Sequence, residues 1–263
     1  MAQLKYPGWT IASETWGADE VVHRLNIVAA NFVLDCFCEL VGVEALTRFT
    51  VEIRQDPVGP MSCAQRDNPG RGYTTDFRIY LDCEPGSYQQ LIYQLAHETC
   101  HVMMDNRPFH KHLQWISECL CEAASLQVLE LARINALELN AALGYKRSST
   151  FVHHYIDRVL PPCSAKWEEE NVPVDIFSFY SRYRDCFISD PNGPLTENDL
   201  RWRNEKMALA FLDWLKNEPE CWRSITDIPS GDAFITTQDF LVSWVERTMY
   251  PYFTRALLAL VSS

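Results

Sequence analysis

The sequence predicts an α+β fold: a small, mostly antiparallel sheet with helices beside it, followed by a mainly helical C-terminal half. Three observations carry this expectation. Arg48–Arg54 and Thr75–Leu81 both alternate strictly between apolar and polar residues, which is the period of a half-buried strand. Apolar residues recur at steps of three or four before and after those runs, the period of a helix with one buried face. Beyond residue 140, helical patterns alternate with proline breaks and no alternating run of comparable quality appears. The expected division is therefore a sheet- and motif-bearing region at 1–140 and a helical region at 141–263.

Taken in order, Val21, Leu25, Val28, Phe32, Cys36 and Leu40 share one helical face and predict a helix over Gly17–Leu40. In the first strand Phe49, Val51 and Ile53 point one way, and in the second Phe77, Ile79 and Leu81 do. Turn residues at Gly59-Pro60 and at Asp67 through Gly72 bracket a short extended piece near Met61 to Ala64. Connections this short favour antiparallel pairing. After Pro85-Gly86-Ser87 a helix is expected from Tyr88 to about Met104, with Ser87 as N-cap. The polar stretch Asp105 through Pro108 ends it, and a second long helix is expected from Trp115 to about Leu139.

Composition narrows the function. With 47% hydrophobic and 22% charged residues over 263 positions, the chain can bury a sizeable core. Its 23 Lys and Arg against 35 Asp and Glu leave a formal charge of -12. That field repels phosphate, so no nucleic acid and no anionic membrane surface is expected as a partner. The longest uninterrupted aliphatic run, Ala256 to Val261, falls far short of the ~20 residues that span a bilayer. The first residues show no secretory pattern, and a cytoplasmic location is expected. The ten cysteines are scattered and form no CxxC. They are expected to be reduced thiols serving as small core residues.

The chemistry is concentrated at His97-Glu98-Thr99-Cys100-His101, an HExxH pattern. Four residues apart on a helix, both imidazoles lie on one face and can bind a single zinc ion, and the carboxylate beside the first can act as general base. A chain of this composition shows those five letters by chance in about one case in 75, so the pattern alone is only a motif. A catalytic zinc commonly takes three protein ligands and keeps a fourth position for water, which calls for a third group nearby. Glu118 stands in Trp115-Ile116-Ser117-Glu118, with 16 residues between it and His101, and Glu122 follows one turn later.

With those residues on the page, the chain resembles the gluzincin metallopeptidases, in which the HExxH helix is followed by a helix bearing a glutamate ligand. The resemblance covers about residues 48–130 and implies a zincin-like catalytic half. It also implies Zn²⁺ held by His97, His101 and Glu118, with Glu122 orienting a ligand histidine from outside the coordination shell. Glu98 would take the proton of the metal-activated water as it attacks a scissile carbonyl, and return it to the leaving amine. The expected activity is hydrolysis of a peptide or protein substrate.

Several positions stay open. Gluzincins stabilise the oxyanion with a Tyr or His from the C-terminal part. Tyr180 and Tyr183, 62 and 65 residues after Glu118, are the leading candidates, beside His153, His154 and Tyr155. Asp105 is an alternative third ligand, four residues after His101. His110 and His112 are outside candidates. A cysteine in place of Glu118 is conceivable, with core packing the favoured role for Cys100, Cys119 and Cys121. The metzincin extension fails, since Met104 and Arg107 stand where Gly and His are needed. In zincin folds the strand before the active-site helix is commonly the sheet edge that pairs with substrate, which points to Thr75–Leu81. Gly59-Pro60-Met61-Ser62-Cys63 lacks the glutamate with which aminopeptidases grip a free amine, so an endopeptidase is expected. The alternative is a non-catalytic binding or regulatory protein on the same fold, with zinc structural or absent.

Overall fold

Alternation in the sequence builds the centre of the sheet. In β3 (Val51–Gln55) and β5 (Phe77–Leu81) the residues Val51, Ile53, Phe77, Ile79 and Leu81 are fully buried. The computed structural model describes the chain except for residues 1, 18, 57–58, 65–74, 85–86, 106–108, 144–171 and 189–196. It is α+β. β1 (Ala2–Gln3), β2 (Trp9–Ile11) and β4 (Met61–Ala64) complete a five-stranded sheet of order β1-β2-β3-β5-β4.

The sheet is mixed, which corrects the expectation of mostly antiparallel pairing. β2, β3 and β5 are parallel, with Trp9 opposite Val51 and Val51 opposite Phe77. Only the outer strands run the other way: β1 against β2, and β4 against β5 with Met61 opposite Tyr80. The reason lies in where β4 goes. It intervenes in sequence between β3 and β5 but pairs antiparallel on the far side of β5, so β5 runs in the direction of β3. A second correction follows. β5 has strands on both sides, and β4 is the outermost strand at that end. β1 and β2 had no sequence signal because two or three residues cannot display a period. A close backbone approach fixes β2 instead. Gly8, at φ +89, accepts from the Val51 N–H at 2.8 Å, and a Cβ there would lie 2.8 Å from the Phe49 carbonyl oxygen.

The helices follow their capping and amphipathic patterns. α1 (Glu20–Val41) starts at Asp19, whose carboxylate accepts from the N–H groups of Val21 and Val22. It buries Ala29, Ala30, Val33, Leu34 and Phe37 and packs on α2 (Val43–Leu46), α3 (Tyr88–Met103) and α5 (Ala136–Ala142). By length and composition α1 can cross a membrane, the one such helix among the described residues, and a core helix passes the same test. α3 packs against β4 and β5. The Asp82 carbonyl, just past β5, accepts from Gln90 at 2.7 Å and Gln94 at 3.0 Å, which fixes α3 to that end of the sheet. Ser87 sits at its N-cap without a side-chain cap bond.

α4 (Lys111–Ile134) begins one turn earlier than the expected Trp115. The chain forms two compact units, and the division falls within this unbroken helix, after Ala123. One unit holds the sheet, α1, α2, α3, the later part of α4 and α5. The other holds the first part of α4 with α6 (Ile176–Ile188), α7 (Glu197–Asn217), α8 (Thr237–Arg247) and α9 (Pro251–Ser262). Its core is aromatic: Trp115, Phe179, Trp202, Phe211, Trp222, Phe240, Trp244 and Phe253 are all buried. The described cysteines form no disulfide, and Cys36, Cys83, Cys100, Cys119, Cys121 and Cys221 are buried. Burial pushes the thiols of Cys36 and Cys83 up to about 12.

Candidate metal site

The motif stands on α3, as its spacing predicts. His97 and His101 lie one turn apart and are half-buried, with ring centroids 5.1 Å apart and planes inclined at 63°. Glu98 is 3% exposed. A carboxylate that far from water must have its charge compensated or its proton retained, which makes its position beside two imidazoles chemically informative.

The third member of the group comes from α4. One ligand atom each from His97, His101 and Cys121 lies within 4.8 Å of the others, a set that can hold a metal ion. Two imidazoles and a thiol are donors that transition metals accept, zinc among them. With Zn–N at about 2.1 Å and Zn–S at about 2.3 Å, the edge of a tetrahedral site is about 3.6 Å, so closing on an ion asks for shifts of little more than about 1 Å. Helix register explains why this cysteine reaches the histidines. Ser125 Oγ donates to the Tyr93 carbonyl at 3.0 Å, a buried hydrogen bond between α4 and α3. Cys121 is one turn before Ser125 and His97 one turn after Tyr93, so antiparallel helices paired at 93 and 125 bring 121 to the histidine pair.

Glu118 is half-buried and precedes Cys121 by three residues, the adjacent position on the same helical face. Glu122 is 8% exposed, one turn beyond Glu118. Both carboxylates act on Cys119. Burial first, and then the charges of Glu118 and Glu122, hold its thiol well above 9.0, so Cys119 stays a neutral core residue. Sequence reasoning treated Cys100, Cys119 and Cys121 alike. At about 100° per residue, Cys119 is turned a full step away from Glu118 and Cys121 is not, and that difference was the available signal.

The other candidates sit elsewhere. Asp105 closes α3 in the left-handed region at φ 66, its N–H donating to the Val102 carbonyl at 2.8 Å, and it is not in the ligand group. His110 and His112 stack on each other at 5.7 Å. Burial, and then the charge of His110, lower the pKa of His112 below 6.5. Tyr180 and Tyr183 lie in the aromatic core of the helical unit. Tyr180 packs 5.5 Å from Trp115 and stacks on Phe187, and burial raises its hydroxyl pKa. Tyr183 lies 4.9 Å from Phe179 and meets Trp202 edge-on at 5.5 Å, with Arg203 over its ring at 5.2 Å. His153, His154 and Tyr155 lie outside the described residues. In comparisons with protein-family models, curated proteins and solved structures, nothing matches this chain.

Proposed function

We propose that the protein is a zinc-dependent peptidase of zincin-like architecture, similar to the gluzincins, with Glu98 as general base. The observation that supports this most is a buried carboxylate, Glu98, on the helix that presents His97 and His101 to a third donor on α4. A purely structural metal site has no use for such a base.

Zinc bound by the two histidines would supply Lewis-acid polarisation of a carbonyl and a water acidified to a pKa of ~7. The chain's own groups do the rest. Glu98 accepts the proton of the attacking water and delivers it to the nitrogen of the leaving amine, so the carboxylate ends the cycle as it began. Glu118 is the ligand that the resemblance implies, and Glu122 the carboxylate that holds a ligand imidazole in one tautomer. Tyr180 or Tyr183 is the proposed oxyanion donor. An extended peptide would add to the sheet at β4, the outermost strand, which packs with β5 against α3. Without an acidic residue in Gly59–Cys63 to hold a free amine, internal bonds are the proposed target.

The test is hydrolysis of a peptide library by the zinc-loaded wild type and by Glu98→Gln. The proposal expects cleavage by the wild type, a loss of roughly 10²–10⁴-fold in Glu98→Gln, and equal zinc content in both. Equal rates in the two proteins sink the enzymatic reading and leave a binding protein.

A further inference from the structure

We infer that Cys121, and not Glu118, is the third protein ligand of this centre, so that the metal is held by two imidazoles and a thiolate. The inference rests on the reading of His97 and His101 as a metal pair, and it changes the ligand chemistry which that reading inherits from its resemblance.

Three independent features place the thiol there. Its sulfur and one nitrogen of each imidazole all lie within 4.8 Å of one another. One turn on, Ser125 Oγ donates to the Tyr93 carbonyl at 3.0 Å, a buried hydrogen bond that ties α4 to α3 near this point. Finally, Cys121 is fully buried while both histidines keep partial exposure. Cys121 would hold the ion from the buried side of the group, and His97 and His101 from its partly exposed side. Glu118, at the adjacent position of the same face, is then a neighbour of the coordination shell.

The substitution has consequences for the ion. Thiolate and carboxylate carry the same charge, so the centre keeps its net charge. Thiolate is the softer donor, and a set of two imidazoles and one thiolate favours zinc and other late transition metals over magnesium, calcium and manganese, which prefer oxygen. A site with Glu118 in third place would discriminate less.

Cobalt(II) substitution of the full-length protein reads this directly, because a bound thiolate gives an intense near-ultraviolet charge-transfer band that carboxylate and imidazole do not. The expected result is one cobalt per chain with that band in the wild type, in Glu118→Gln and in Cys119→Ser. Cys121→Ser should lose the band and bind zinc roughly 100-fold more weakly. A wild type that binds cobalt without the band, binds none, or keeps the band in Cys121→Ser overturns the inference. So does loss of binding in Glu118→Gln with Cys121→Ser unchanged. The spectrum judges the ligand whatever the hydrolysis assay gives, and comparison of wild type with Glu98→Gln judges the peptidase reading whatever the spectrum gives.

Discussion

Two regions of the molecule bury chemically different side chains. α3 and α4 take ionisable groups out of water along with apolar ones: Glu98 at 3% exposure, Glu122 at 8%, and Cys121 at 0%, with His97 and His101 half-buried. Around α6, the buried residues are rings: Phe179, Tyr180, Tyr183 and Phe187 against Trp115 and Trp202. Ring burial stabilises through area and edge contacts, with only the indole N–H and phenol hydroxyl calling for a polar partner. Burial of carboxylates costs free energy unless a proton, a hydrogen bond or a cation offsets it. The first region groups donors that could hold a metal ion and the second is a cluster of packed rings, and the contrast can be broken by experiment.

The largest expected effect is chelation. Stripping the metal should abolish hydrolysis, and added zinc should restore it while magnesium does not. Activity that survives full removal of metal breaks the contrast on the α3 side. Next comes Trp115→Ala, which removes the indole shared by Tyr180, Phe187 and Phe211. It should cost about 3–5 kcal/mol of unfolding free energy in denaturant titration. A cost below about 1 kcal/mol would show that the aromatic cluster does not carry the helical unit.

The tyrosines sharpen the comparison. If Tyr180 and Tyr183 only pack, Tyr180→Phe and Tyr183→Phe each leave kcat within about twofold. If one is the oxyanion donor, its variant loses roughly 10²-fold or more in kcat with little change in KM. The smallest effect concerns pH. His112 has its pKa held below 6.5 in the folded protein, so the unfolded chain binds that proton more readily. Its contribution to stability is present above 6.5 and is lost as pH falls toward the folded value. His112→Gln should therefore narrow the difference in Tm between about pH 7.5 and about pH 5.5. An unchanged difference rules out that contribution.

Much of this arrangement was legible in the sequence. The helical periods placed α1 and α3 to within a few residues, and strict alternation found β3 and β5, because each pattern extends over more than one repeat. What escaped was decided by partners remote in sequence. β2 depends on pairing with Val51–Ile53, more than 40 residues away, and β1 in turn on pairing with β2. The direction of β5 depends on β4 pairing outside it, a choice that no local turn encodes. At the site, the HExxH pair was readable because its geometry is that of one helix. The partner on α4 was not, since rotation of one helix against another is set by contacts such as Ser125 with Tyr93. Spacing from Glu118 alone leaves Glu118 and Cys121 equally placed.

Everything in this account requires that His97 and His101 bind one ion together. Zinc content of the purified wild type, His97→Ala and His101→Ala, each confirmed folded by circular dichroism, tests that most directly. The account expects one zinc per chain in the wild type and essentially none in either variant. Zinc retained in full by both variants, or never bound by a folded wild type, contradicts it.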